Sequence, residues 1–246
     1  MTLEGRTILI TGASSGIGEA TAKKLASEGA NVVLMARSTS KLKSLKDEIE
    51  NDNGKALVTS GDVTKKEDFE AAVKQANDTF GPVDGLINNA GLMPLSFIEK
   101  LKTDEWAKMV DVNIHGVLNG VSAVLPDMMK HKKGDIINIS SMASRQYFPG
   151  AAVYCGTKAA VSMFTEGLRK ELSPKYGINV TSIEPGAVST NLTETITDED
   201  IKEKLSAMLE METLQSEDIA NAIYYTLTQP KRVNIGDIYI LPTEQQ

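Results

Sequence analysis

Tyr154 and Lys158 stand four residues apart in AAVYCGTKAAVSMF, inside a stretch of helical pattern from Ala151 to Leu172. Residues at i and i+4 share a helix face, so a phenol and an ammonium at this spacing can enter one cleft together. A phenol near its ordinary pKa of about 10 is a poor proton shuttle at neutral pH, and a nearby cation would stabilise its anion. Tyr154 would then act as a general acid toward a carbonyl or a general base toward an alcohol. The same spacing also arises by chance in many helices. Here Val153, Thr157, Val161, Phe164, Leu168 and Leu172 already supply an apolar face, which leaves Tyr154 and Lys158 free for a site.

A second group lies near the start of the chain. TGASSGIG, residues 11 to 18, runs out of a β-type segment straight into a helical one. Glycines at 12, 16 and 18 allow a tight turn and a close backbone approach to a pyrophosphate, whose charge would meet the N-terminus of the following helix. The spacing is G-x-x-x-G-x-G and not the G-x-G-x-x-G of the general dinucleotide motif, so an unliganded strand-to-helix turn also fits these residues. The end of the second strand is an independent check. It reads Ala36-Arg37-Ser38, with a guanidinium where an acid would receive the adenosine ribose, and this favours NADP over NAD. Lys41 could add charge or be plain surface.

The elements that would position these groups alternate. β-Branched runs at Thr7–Thr11, Asn31–Ala36, Ala56–Ser60, Gly85–Asn88, Asp135–Ser140, Asn179–Glu184 and Gly236–Leu241 are separated by helical patterns such as Ile17–Glu28, Lys41–Asn51, Lys65–Phe80 and Thr103–Lys130. That order predicts an α/β fold of the Rossmann type, a doubly wound parallel sheet of about seven strands with helices on both faces, in a single domain spanning 1–246. With one cysteine, Cys155, and two histidines, His115 and His131, neither a disulfide nor a metal site is expected. No signal peptide or membrane-length apolar run is visible, so a cytoplasmic protein without a membrane partner is expected. The formal charge of −7 weighs against nucleic acid as a partner. Nine acids against two bases between Asn191 and Asp218 account for that whole excess. Ile201, Leu205, Met208 and Leu209 recur there at helical spacing, which predicts a short amphipathic insertion.

Taken together, TGASSGIG at 11–18, NNAG at 88–91, ISS at 139–141 and YCGTK at 154–158 resemble the short-chain dehydrogenase/reductase family in its single-domain form, over nearly the whole chain. The resemblance implies an NADP(H)-dependent oxidoreductase that passes a hydride between the nicotinamide and a small ketone, aldehyde or hydroxy acid. It makes Ser141 the serine that hydrogen-bonds the reacting oxygen, with Ser140 as the alternative. Tyr154 becomes the proton donor or acceptor, Lys158 the residue that depresses the tyrosine and holds the nicotinamide ribose, and Asn113, in DVNIHG, the asparagine of a water relay. For the cofactor it implies Gly12, Ser14, Ser15, Gly16, Ile17, Gly18, Arg37, Ser38, Asp62, Val63, Asn89, Ala90, Gly91, Pro185, Gly186, Val188 and Thr190, beside Tyr154 and Lys158.

It also implies a homodimer or homotetramer, and a substrate lid at 187–212. Substrate choice would fall to loops around Met93–Phe97, Met142–Phe148 and Ala187–Met211, with Met93, Met142, Tyr147, Leu192, Met208 and Met211 forming a mostly apolar pocket. Arg145 would either meet a substrate carboxylate or only cover its loop. The chain ends GDIYILPTEQQ in place of the glycine-rich VDGG-type tail of many relatives. This weighs against the common tetramer and a 3-oxoacyl thioester reductase, and is more similar to the branch with 3-hydroxy acid and serine dehydrogenases. A non-catalytic NADP-binding sensor is the alternative from another class; it would usually lack one of the catalytic residues. A dehydratase or epimerase would usually carry an added domain. An acidic lid would disfavour strongly anionic substrates.

Overall fold

The computed structural model describes residues 2–208 and 211–245, with the side chains of 204–208 outside that description. Seven strands form one sheet: β1 Thr7–Thr11, β2 Asn31–Ala36, β3 Lys55–Ser60, β4 Gly85–Asn88, β5 Gly134–Ile139, β6 Ile178–Pro185 and β7 Asp237–Ile240. Every pairing is parallel, in the order β3-β2-β1-β4-β5-β6-β7. This is the Rossmann-type α/β fold. Each strand falls within a residue of its expected bounds. Parallel strands covered on both faces must be almost continuously apolar, and β1 and β2 are buried along their whole length.

Strand side chains alternate between two layers. Ile8, Ile10, Val32 and Leu34 face α1 (Gly16–Ser27), α2 (Thr39–Asn51) and α8 (Ser216–Leu227), packing with Leu25, Ile49, Ile219 and Ile223. Leu9, Val33 and Met35 face the other way, onto Phe69 of α3 (Lys66–Phe80) and Val121, Val124 and Met128 of α5 (Gly116–His131). A third cluster beyond the strand ends joins Leu95, Met109, Tyr154 and Ile201. It draws on α4 (Thr103–Val110), α6 (Ala152–Tyr176) and α7 (Glu199–Met208). Helix α7 falls within the expected acidic insertion and buries Ile201; of the other apolar positions expected there, Leu209 and the side chains of Leu205 and Met208 lie outside the described residues.

Two expectations need correction. The pattern at Thr103–Lys130 predicts one regular helix, but a π-helical turn at Asp111–His115 separates α4 from α5. The wider turn places Asn113 in the interior, 1% exposed, where its Oδ1 accepts from Leu92 N–H at 2.8 Å and its Nδ2 donates to Leu92 O and Thr157 Oγ1. Helix α6 is buried on more than its apolar face. Thr157, Val161 and Leu172 are covered as expected, but Tyr154 and Lys158 are also 4% and 6% exposed.

Helix α1 lies so close to the end of β1 that a Cβ on Gly18 would sit 2.4 Å from Gly12 O and 2.6 Å from Asn89 Nδ2. Backbone on one side and a hydrogen-bonded amide on the other leave little room to yield. Gly18→Ala is expected to cost about 1–3 kcal/mol, read as a lower urea midpoint with an unchanged m-value. Gly156, in α6, has nothing within 4 Å of its would-be Cβ. Gly156→Ala is expected to raise stability by about 0.5–1 kcal/mol.

Candidate active site

β1 sits where the winding reverses: the chain leaves it toward β2 and β3 on one side and returns to place β4 on the other. At such a point the connections diverge and leave a crevice at the carboxyl ends of the strands. Its floor is stapled. Thr11 Oγ1 accepts from Asn89 N–H at 3.0 Å and Ala90 N–H at 3.1 Å, and Asn89 Nδ2 donates to Thr11 O at 3.0 Å and Gly12 O at 3.3 Å. The turn between β1 and α1 lies flat on this floor because Gly12 and Gly16 take φ of 63° and 57°, and a Cβ on Gly12 would meet Ala90 Cα at 2.9 Å.

The crevice opens into a cleft of about 1070 Å³ lined by Gly12, Ser14, Ser15, Gly16, Ile17, Arg37, Ser38, Asp62, Val63, Asn89, Ala90, Gly91, Ser141, Tyr154, Lys158, Pro185, Gly186, Val188 and Thr190. Met93, Met142, Tyr147, Leu192 and Met211 line it as well. Three expected site residues do not. Gly18 is enclosed between Gly12 and Asn89, so its glycine serves the packing of α1. Asn113 lies behind Gly91, with its side chain committed to Leu92 and Thr157. Arg145 is turned away from the cleft: Nε donates to Glu184, an Nη to Asp237 at 2.7 Å, and the guanidinium covers the Tyr239 ring.

Arg37 brings positive charge to the β2 end. The Asp62 carboxylate beside it is held below the usual range by hydrogen bonds from the Thr64 N–H at 3.0 Å and hydroxyl at 2.9 Å, with Arg37 and Lys65 adding to the effect. Ser15 precedes α1 without capping it through its side chain, so nothing from Ser15 covers the N–H groups of the first turn at the cleft.

At the other end the two serines separate by partner. Ser140 Oγ is drawn to Lys158 O at 2.9 Å and Ser162 Oγ at 2.8 Å, whereas Ser141 and Tyr154 join hydroxyl to hydroxyl. Lys158 Nζ donates to Ile139 O at 2.9 Å and lies 5.8 Å from the Tyr154 ring centre. The expected electrostatics are inverted here. Burial pushes the Tyr154 phenol up to about 12 against the lowering effect of Ser141, and burial lowers Lys158 to about 8. Desolvation acts against both charged forms and is the largest effect at each.

The chain's end also reaches the cleft, which local sequence pattern did not suggest. Gln245 Oε1 accepts from Ala187 N–H at 2.8 Å and its Nε2 lies 2.9 Å from Met142 Sδ. Glu244 lines the cleft beside it. Among the described residues no group of three His, Cys, Asp or Glu side chains could hold a metal, and no helix is long and apolar enough to cross a membrane.

Comparison with known proteins agrees with this geometry. The chain matches the short chain dehydrogenase family over residues 6–201 and belongs to it. An uncharacterized oxidoreductase of Staphylococcus saprophyticus is 45% identical over 244 residues, covering 99% of this chain and 98% of that protein. The closed form of a serine dehydrogenase complexed with NADP+ superposes with a TM-score of 0.90 at 30% identity, over 98% of this chain and 96% of that one. A metagenomic short-chain oxidoreductase in complex with NADP gives 0.83 at 27% identity, over 100% of both chains. The protein is an oxidoreductase.

The buried Lys158 gives a stability test. Its pKa is lowered from 10.5 to about 8, so between those values the folded chain binds fewer protons than the unfolded one. The penalty is therefore full below pH 8 and fades as pH rises toward 10.5. Lys158→Met should be more stable than the parent at pH 7, by up to about 3 kcal/mol, and the gap in melting temperature should close by about pH 10. A gap independent of pH would contradict this.

Proposed function

We propose that the protein transfers a hydride between NADP(H) and a small carbonyl or secondary alcohol: a ketone, an aldehyde or a hydroxy acid. The observation that carries this reading is one cleft lined by Arg37 and the glycine turn as well as by Ser141, Tyr154 and Lys158. The residues present fit a dinucleotide phosphate. Gly12 has no room for a side chain over the floor, α1 presents its first turn to the cleft, and Arg37 with Ser38 suits a 2′-phosphate. The NADP-bound neighbours support the same cofactor. When bound, NADPH supplies the hydride that reaches the carbonyl carbon.

The chain's own residues handle the oxygen. Tyr154, with its phenol pushed up to about 12, keeps its proton throughout the neutral range and can give it from Oη to the carbonyl oxygen as charge develops there. Ser141, already paired with that phenol, offers a second hydrogen bond to the same oxygen. Lys158, lowered to about 8 and anchored on Ile139 O, is poised to pass a proton near neutral pH and to hold the nicotinamide ribose. Asn113 supports the relay by its place in the π turn, since its side chain already has partners. Segment 187–212 serves as the substrate lid. Lys100 pairs with buried Asp198 at 2.8 Å and so ties this segment to the turn before α4.

Tyr154→Phe is expected to lower carbonyl-dependent NADPH oxidation by about 10²–10⁴-fold, while NADPH binding followed by fluorescence stays within a few-fold of the parent. Full turnover in this variant would overturn the assignment. Arg37→Ala should reduce the preference for NADPH over NADH by about ten-fold or more. An unchanged ratio of kcat/KM values would remove the 2′-phosphate role.

A further inference from the structure

Arg145 and Glu184 form a group outside the reacting residues. Arg145 closes the short turn after Ser141. That turn is stiff: Ser141 Oγ accepts from Ala143 N–H at 3.1 Å, Ser144 Oγ donates to Ser141 O at 2.7 Å, and Arg145 N–H donates to Met142 O at 2.9 Å. Arg145 is therefore fixed relative to the serine that meets the substrate oxygen. Its guanidinium lies 2.5 Å from Glu184 Oε2 and 2.7 Å from Asp237 Oδ2, with its centre 4.8 Å from the middle of the Tyr239 ring. The Nε and one Nη of this cation are thus committed to carboxylates, and its plane lies over a ring.

Glu184 is the buried partner, its side chain 4% exposed. Its second oxygen accepts from Ser162 Oγ at 2.8 Å and Ser182 Oγ at 3.1 Å. Ser162 gives its one proton to Glu184, and its Oγ lies 2.8 Å from Ser140 Oγ, whose own single proton can go either to Ser162 or to Lys158 O at 2.9 Å. Directly after Glu184 come Pro185 and Gly186, which line the cleft. One carboxylate thus joins the Ser141 turn, through Arg145, to α6 at Ser162 and to the turn after β6. Gln245 bridges those same two turns from the cleft side, through Met142 and Ala187.

We propose that Arg145 is a positioning residue: held by Glu184, it fixes the turn bearing Ser141 against the turn after β6 and does not contact substrate. The proposal rests on the reductase reading of the same cleft, and the experiment separates the two. Arg145→Met would leave Glu184 as a buried carboxylate without its cation, a strongly unfavourable arrangement that the turn relieves by shifting. Arg145→Lys keeps the charge, and Arg145→Met with Glu184→Gln removes both.

The substrates are a matched pair, the ethyl ester of a 3-oxo acid and the free acid. For Arg145→Met, kcat is expected to fall about ten- to a hundred-fold and equally for ester and acid, with NADPH binding unchanged. The lysine variant should keep most activity, and the double variant should recover most of the loss. Amide exchange over residues 142–148 should quicken in Arg145→Met and return to the parent rate in the double variant. A rise in KM confined to the acid, with kcat for the ester intact, would make Arg145 a substrate contact and overturn the proposal. Unchanged kcat together with unchanged exchange would do so too. If the parent turned over neither substrate nor any other carbonyl, the reductase reading would fail, and the exchange rates would still decide the positioning role.

Discussion

The cleft depends on a few hydrogen bonds between the ends of β1 and β4. Two adjacent N–H groups, of Asn89 and Ala90, converge on one hydroxyl, Thr11 Oγ1, while the Asn89 amide reaches back to the carbonyls of Thr11 and Gly12. Strand ends at a reversal of winding have no neighbouring connection to hold them, and their backbone groups would otherwise face the crevice unpaired. Closing them on each other gives the cleft a rigid floor. The glycine turn lies on that floor, and Gly91, whose would-be Cβ points at Lys158 Nζ 3.7 Å away, links it to the reacting end. A polar ladder continues the bracing inward, from Asn88 Nδ2 to Asn138 Oδ1 and from Asn138 Nδ2 to Thr165 Oγ1.

Burial sets the electrostatics of that reacting end. Tyr154 and Lys158 were brought together by sequence spacing, but the low-dielectric surroundings decide their protonation. Both are shifted toward the neutral form, which for Tyr154 prevails throughout the neutral range while Lys158 at about 8 is still mostly protonated at pH 7. A neutral phenol is the form needed to donate to a carbonyl oxygen. A lysine lowered to about 8 changes its charge within reach of neutral pH, which an exposed lysine does not. The interior bears a stability cost for this arrangement, as functional sites commonly do.

Much of the fold was legible in the sequence because strands buried on both faces leave a continuous apolar trace, and because TGASSGIG, NNAG, ISS and YCGTK are each local. The π turn was hidden. One extra residue between Thr103 and Lys130 does not disturb the apolar pattern enough to show, and its cause, the pairing of Asn113 with Leu92, spans 21 positions. The partners that distinguish Ser140 from Ser141, Ser162 for the first and Tyr154 for the second, lie too far along the chain for a local pattern to show. The partners that Arg145 takes, Glu184 39 positions away and Asp237 92 away, left no local trace. Gln245 reaches Ala187 across 58 positions, and no local pattern marks such a contact.

The order of the sheet also bears on how the chain comes to be folded. β4 lies between β1 and β5, all four of its residues are buried, and its staple to β1 spans 78 positions. A ribosome that has released residues only as far as α5 has made the whole glycine turn and its floor, but one edge of β4 still lacks β5. That growing chain exposes an apolar, unpaired strand edge at the middle of the future sheet, a place where nascent chains stick to one another or engage chaperones. When Gly134–Ile139 emerges beside β4 the open edge passes to β5, and it is covered in turn by β6 and β7.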